Sequence, residues 1–338
     1  MIEPANWQAI HGDFDFDSNG ITFHGEVYTR PASSLGSSSS STGDGEEGEE
    51  EYHQVGAGLA MSDVRFSGGS IDASFAWADA QTFPSVQIVI RRNSLDGSMI
   101  TAGVSGSGVG RRHSSKFIIR SFDGSEETGG WETLAETSAV GRRHTGRMAL
   151  RVVQTGSVVD LYADGVSVLR HLMPTKSSSQ CGLFCRASGD LRVSDYRVVT
   201  QRRSAFVVMQ FGVPYDQLYA DVIRPVVAGC GFDVIRADDD FGPGLIIADV
   251  VRRIQEAEVI IADITPENQN VFYEVGYAHA LGKPTILLAE KGKRLPFDVS
   301  GFRTLFYENS IAGKAAVEQG LRRHVEAITR ERPAALAV

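Results

Sequence analysis

The hydrophobic period changes once, near residue 204, and that change divides what the chain can fold into. Before it, short stretches alternate apolar and polar residues: 21–28, 70–77, 85–91, 116–122 and 147–153. Residues 158–163 then run into Asp164 and Gly165, a hairpin signal, and 166–169, 182–186 and 191–199 close the series. A period of two buries one face of a strand and wets the other. Gly, Ser and Asp cluster between these stretches, and no helical period interrupts them. Residues 1–200 are therefore expected to form an all-β sandwich of the jelly-roll type. After residue 204 the apolar runs become continuous and alternate with helical spacing. Continuous apolar strands are buried on both faces, which predicts a parallel sheet with helices on each side. With 338 residues, the chain is long enough for both units.

Within the first unit, residues 33–51 (SSLGSSSSSTGDGEEGEEE) have nothing to bury and an acidic end that repels itself. They are expected to form a disordered loop between two strands. Asp13, Asp15 and Asp17 alternate, so they share one strand face. A calcium site and a solvated face are both compatible, and the solvated face is the commoner arrangement. The pairs at 91–92, 111–112 and 142–143 are Arg–Arg, at positions expected to be exposed strand ends and loops. The charge balance of 33 basic against 42 acidic residues argues against a nucleic-acid partner. Cys181, Cys185 and Cys230 form no disulfide or zinc framework; Cys181 and Cys185 suit a strand core. The first residues carry no basic and apolar leader, and no run is long enough to span a membrane. A cytoplasmic protein is expected.

The second unit, 204–330, reads as five strand–helix repeats. Residues 205–209 (AFVVM) are strand one, and 215–230 have helical spacing that Pro225 should kink or break. Strand two is 232–235, helix two 244–257, strand five 302–307, and an amphipathic helix covers 313–329. Between them lies 257–288 (AEVIIADITPENQNVFYEVGYAHALGKPTILL), which reads as strand, polar loop, helix, turn and strand. The order expected for such a doubly wound, flavodoxin-like sheet is 2-1-3-4-5, with ligands at the carboxyl ends of the strands. Those ends carry Gln210, Phe211, Gly212 and Tyr215; Asp238; Asp263, Asn268 and Asn270; and, after strand four, Phe297 and Asp298. Over the helix core 271–281, Glu274 is the one fully charged residue, set among Phe272, Tyr273, Val275 and Tyr277. A carboxylate there is either desolvated or turned toward a polar cleft. The spacing from Asp263 allows both to face one pocket, where paired carboxylates can cleave a glycosidic bond. Phe211, Tyr215 and Tyr277 would offer flat walls for a base. The bland alternatives are a solvated helix Glu and an Asp that caps a turn.

Two resemblances add to this. The first unit resembles the concanavalin-A-like, laminin-G-type jelly rolls, through residues 67–71 (SGGSI), 147–170 (RMALRVVQTGSVVDLYADGVSVLR) and 182–199 (GLFCRASGDLRVSDYRVV). That resemblance implies a binding or assembly module for a glycan or protein ligand. The second resembles the nucleoside 2-deoxyribosyltransferase-like family, a relative of TIR domains. It does so through 206–212 (FVVMQFG), 222–225 (VIRP), 236–238 (RAD), 262–265 (ADIT), 270–280 (NVFYEVGYAHA), 282–284 (GKP) and 296–298 (PFD). The family's helix glutamate is a nucleophile and the aspartate after its third strand assists at sugar and base; carried over, these are Glu274 and Asp263. Gln210 and Gln269 depart from the family, which commonly has Pro at both places. The resemblance implies cleavage of an N-glycosidic bond in a nucleotide-type molecule, with NAD(P)+ as a substrate and not a cofactor. No metal is expected from the residues themselves. The resemblance also implies a homo-oligomer and, given the fusion, a role as a bacterial defence or signalling effector. A nucleotide-sensing module without turnover and a true deoxyribosyltransferase are the alternatives.

Overall fold

The structure, a computed structural model, describes residues 6–30, 52–78, 84–107, 114–125, 130–138, 146–174, 179–237 and 246–329. The loop at 33–51 and the Arg pairs at 111–112 and 142–143 lie outside these residues. The first unit contains strands β1 (Trp7–His11), β2 (Asp13–Asp17), β3 (Gly20–His24), β4 (Val27–Arg30), β5 (Tyr52–Val55), β6 (Ala57–Phe66), β7 (Gly69–Trp77) and β8 (Ser85–Arg92). They continue with β9 (Met99–Ser107), β10 (Ser114–Phe122), β11 (Trp131–Ser138), β12 (Arg147–Thr155), β13 (Val158–Ala163), β14 (Val166–Leu172), β15 (Ser179–Arg186) and β16 (Leu191–Thr200).

These strands build two 7-stranded antiparallel sheets, ordered β1-β6-β15-β8-β9-β10-β11 and β14-β13-β12-β7-β16-β3-β2. The two sheets pack face to face as a sandwich. Their facing side chains, among them Ile71, Phe75, Ile88, Ile119, Leu150, Leu161 and Leu183, form one buried core. Cys181 and Cys185 are in it, as small apolar residues. The alternating stretch 21–28 is two strands, not one. It breaks at Gly25, where a Cβ would come within 2.2 Å of Ala187 O. The three aspartates of β2 are partly engaged: Asp15 lies 3.0 Å from His24 Nε2, and Arg192 donates to both oxygens of Asp17 at 2.8 Å. Among the described residues no group of His, Cys, Asp and Glu could hold a metal ion.

Only Gln201 and Arg202 separate β16 from β17 (Arg203–Val208), the first strand of the second unit. The later strands are β18 (Phe232–Arg236), β19 (Val259–Asp263), β20 (Thr285–Glu290) and β21 (Thr304–Tyr307). All pair in parallel, in the order β18-β17-β19-β20-β21. Counted within this unit, that is 2-1-3-4-5. The helical stretch over 215–230, expected to kink or break at Pro225, is segmented: α1 (Tyr215–Leu218), a π-helical turn (Tyr219–Ile223) and α2 (Arg224–Ala228). Pro225 has no N–H to give and falls in the first turn of α2, where none is needed. The other helices are α3 (Ile246–Glu256), α4 (Gln269–Ala280), a short α5 (Phe297–Ser300) and α6 (Ile311–Thr329). One face of the sheet is covered by the π-turn, α2 and α6, through Val222, Ile223, Val226, Val317, Leu321 and Val325. The other is covered by α3 and α4, through Val250, Ile254, Val271, Val275 and Ala278.

The two units touch. Ser157, in the turn between β12 and β13, donates its N–H to Gln255 O at the end of α3 over 2.8 Å. No described helix is long and apolar enough to cross a membrane.

Candidate functional site

A parallel sheet in this order has its switch point between β17 and β19, where successive connections leave on opposite faces. Two loops meet above it: residues 209–214 after β17 and 264–268 after β19. A hydrogen bond of 3.4 Å from Asn268 Nδ2 to Gln210 Oε1 joins them across the crevice. Both loops hold a cis X–Pro peptide bond, at Val213–Pro214 and Thr265–Pro266.

The first loop is fixed in part by Asp216 and Arg236, which sequence reasoning did not place in the site. Gly212 adopts φ +98°, a left-handed conformation that suits glycine. Asp216 accepts its N–H at 3.1 Å and accepts from Arg236 Nη1 at 2.8 Å. Arg236 is buried, with its guanidinium over the rings of Tyr219 and Phe211 at 4.4 and 5.2 Å. Phe211 is half exposed and flanks the crevice. The second loop ends in Asn268, the N-cap of α4, which accepts from Asn270 N–H at 2.9 Å. Capping of this kind is what Asn does at a helix start.

Asp263 is the last residue of β19 and is 1% exposed. Its Oδ1 accepts the Thr265 N–H at 3.1 Å and its Oδ2 accepts the Tyr307 hydroxyl at 3.0 Å. Burial pushes its pKa up to about 7, against the two hydrogen bonds that lower it, and the Glu290 carboxylate pushes the same way. Glu290 is held close by its own N–H, which donates to Thr265 Oγ1 at 2.9 Å. Tyr215 and Tyr307 both have their phenol pKa raised by burial and by the charges of Asp263 and Glu290. Asp263, Glu290, Tyr215 and Tyr307 thus form one electrostatic cluster. The tyrosine at the end of β21 could not be found from local sequence, since β21 is two strands away from β19.

Glu274 has a different setting. It lies five residues into α4, about 7.5 Å down its axis. It is half buried, and among the described residues it has no hydrogen-bond or ion-pair partner. Desolvation alone raises its pKa to about 7. No hydrogen bond joins it to Asp263, and neither group's charge shifts the other. Along β19, Val259 and Ile261 pack on the α2 and α6 side, with Tyr307; Ile260 and Ala262 pack on the α3 and α4 side. Asp263 continues the first set, and Glu274 rides on a helix that covers the other face. The two carboxylates thus approach the switch point from opposite faces of the sheet, and neither charge acts on the other.

The remaining candidates are spread out. Tyr277 turns away from the crevice; its hydroxyl accepts from Gln255 Nε2 at 2.7 Å, near the far end of α3. Asn270 is exposed in the first turn of α4. Phe297 is 91% exposed on α5, beside exposed Asp298. Asp238 lies outside the described residues. Lys283 is structural: buried, it donates to Gln255 O and Ala257 O, each at 2.6 Å, and ties the turn after α4 to the end of α3.

No family model matches the chain, and no curated protein matches it. Distant likenesses to solved structures do exist. A carbohydrate-binding module, CBM66, from Bacillus subtilis is 11% identical, with a TM-score of 0.39; the match covers 59% of this chain and 97% of that one. The laminarinase catalytic domain from Thermotoga maritima is 8% identical, with a TM-score of 0.34, over 59% of this chain and 94% of that one. A CMP N-glycosidase from Clostridium botulinum is 18% identical, with a TM-score of 0.28, over 36% of this chain and 96% of that one. At these TM-scores no ligand, activity or fold passes from them to this chain.

Proposed function

We propose that the second unit cleaves the N-glycosidic bond of a nucleotide-type substrate, NAD(P)+, a nucleoside or a nucleotide, with Glu274 as nucleophile. The observation that carries this is Glu274 itself. A half-buried carboxylate on an apolar helix, without a partner among the described residues, costs stability that nothing local repays. Such a cost persists where a bound molecule supplies the missing partner, as a sugar carbon turning cationic would.

In the step, a Glu274 oxygen bonds to the anomeric carbon as the carbon–nitrogen bond breaks. The electron pair of that bond leaves with the base. Asp263, with its pKa near 7, is a fitting proton donor for a base that leaves as an anion; nicotinamide leaves neutral and needs no proton. Water then attacks the glycosyl-enzyme ester, releasing the sugar and restoring Glu274; a second base in place of water makes the reaction a transfer. Phe211, against Arg236, offers a flat wall at the mouth. In this reading the unit works as the effector half of a defence or signalling protein and assembles as a homo-oligomer, while the sandwich recognises a glycan or protein.

The test is release of free base from NAD+, NADP+, nucleosides and nucleotides by purified protein. No release from any of them, or equal release by Glu274→Gln, sinks the proposal. The separation of Asp263 from Glu274 favours a second reading, in which the crevice senses a nucleotide without turnover. Calorimetry with the same compounds distinguishes the two, since heat of binding without product supports the sensor.

A further inference from the structure

The sandwich sheet that contains β8 has an outer face, turned away from the opposing sheet. Along β8, Val86, Ile88 and Ile90 enter the inter-sheet core, while Val89 joins a second cluster with Leu59, Met61, Met99 and Phe184. Gln87 alternates with the first set and so lies on the outer face. Thr101 pairs with Val89, and Arg120 pairs with Thr101. Arg186 follows core residue Cys185 and points the same way. Trp131 borders this row, with its ring 5.3 Å from that of Phe184.

Arg120 is in an unusual state. Its guanidinium lies 4.3 Å above the Trp131 ring, and among the described residues its buried Nε has no hydrogen-bond partner. Burial pushes its pKa down to about 10, and the charge it feels beside that is another guanidinium, Arg186, pushing the same way. Among the described residues no carboxylate pairs with Arg120 or Arg186. Beneath them Gln87 is 0% exposed; its Oε1 accepts from Thr101 Oγ1 at 2.5 Å, and its Nε2 finds no acceptor among the described residues. Native proteins pair such groups, and each exception calls for a reason. The chain as a whole is acidic, at −9, so this convergence does not come from a generally basic surface.

We propose that this face of the sandwich, between Arg120 and Arg186 and beside Trp131, binds a ligand through an oxyanion: a carboxylate, a sulfate ester or a phosphate ester. Planar guanidinium forks match the two oxygens of such a group, and the bonds formed are charge-assisted. The oxyanion relieves the repulsion between the two arginines and supplies the acceptor that Arg120 lacks. Gln87 Nε2 stands below as a further donor. The proposal is independent of the chemistry assigned to Glu274.

Full-length protein is titrated calorimetrically at low salt with glucuronate, galactose 6-sulfate, glucose 6-phosphate and, as a neutral match, glucose. At least one acidic sugar binds and glucose does not; whichever acid binds most tightly identifies the oxyanion. Arg120→Gln and Arg186→Gln each weaken that binding about tenfold or more, the loss of one charge-assisted contact. Arg186 is exposed, so its variant keeps the fold should the Arg120 variant fail. Thermal unfolding gives a second readout. Without ligand Arg120→Met melts higher than wild type, because a desolvated charge has gone. The bound acid raises the wild-type melting temperature and leaves that of Arg120→Met unmoved. Failure of every acidic sugar to bind at millimolar concentration, glucose binding as well as the acids, or undiminished binding by folded Arg186→Gln overturns the proposal.

Discussion

The end of β19 and the helix that follows it each hold a carboxyl group with a pKa raised to about 7, and they reach that state differently. Asp263 is enclosed almost completely, but both oxygens are occupied, one by a backbone N–H and one by the Tyr307 hydroxyl. Glu274 is less enclosed and has neither donor nor cation among the described residues. Hydrogen bonds to Asp263 oppose the effect of burial; at Glu274 nothing opposes it. A buried acid with its partners in place belongs to the architecture whatever else it does. A partly buried acid without partners is incomplete until something binds. In the proposed reaction the first would position and protonate, and the second would attack.

Removing the Glu274 carboxylate is the largest break in that comparison. Glu274→Gln should lower base release by at least about a thousandfold, since no other carboxylate of α4 can take its place. The same change should leave the melting temperature equal or higher, because a desolvated charge is replaced by a neutral group of the same size. Loss of activity together with loss of fold would place Glu274 among the structural residues and end the comparison.

Asp263 should behave in the opposite way. Asp263→Ala leaves the Tyr307 hydroxyl and the Thr265 N–H buried without an acceptor, which costs about 1–3 kcal/mol for each group so stranded. Loss of general acid assistance should lower base release about a hundredfold, less than the Glu274 variant, for substrates whose base needs a proton. For NAD+, whose nicotinamide leaves neutral, the drop should be smaller. An equal drop for all substrates would argue that Asp263 acts through structure alone.

The pH dependence sharpens the contrast further. Both carboxyls hold their protons to higher pH in the folded chain than in the unfolded one. The folded state therefore binds more protons between about 4 and about 7, and stability falls as pH rises through that window. Glu274→Gln removes its share and flattens the fall by on the order of 1 kcal/mol, discounted for its partial exposure. The rate should respond differently. It rises as Glu274 ionises and, where a protonated Asp263 is needed, falls again as Asp263 ionises, giving a narrow maximum near pH 7. Urea unfolding and base release, each across pH 5 to 9 (a range of about four units around the pKa values), separate the two.

Much of this was legible in the chain, and what was not had physical reasons. The period switch near 204 located both architectures, because strand alternation and continuous apolar strands are local patterns. Asn268 as a helix cap and Gly212 as a left-handed turn are local features as well, but they were expected only as ligand contacts. Arg91 and Arg92 were not legible: expected in exposed strand ends, they are half buried with their Nε atoms unpaired, Arg91 reaching Met173 of the sandwich core. A β-bulge between Val89 and Arg91 turns the end of β8 inward, and bulges depend on the partner strand. The side of the sheet that Asp263 takes is set in a similarly non-local way. Spacing along the chain gave eleven residues to Glu274, and only the pleat decides which face the strand's last side chain takes.

Tyr307→Phe is the smallest change and the finest test of why the two acids differ. The hydroxyl donates to Asp263 and so lowers its pKa against the effect of burial. Its removal takes away one hydrogen bond, at about 0.5–1.5 kcal/mol, without opening a cavity. Asp263 then moves closer to the condition of Glu274: buried, with one donor fewer, and its pKa goes up further. The alkaline limb of the base-release profile should move to higher pH, while the acid limb, set by Glu274 on the other face of the sheet, should stay in place. A shift of one limb without the other is something a merely structural tyrosine would not produce. Both limbs moving together would mean that the two carboxyls titrate as one pair, and that the sheet between them does not separate their charges.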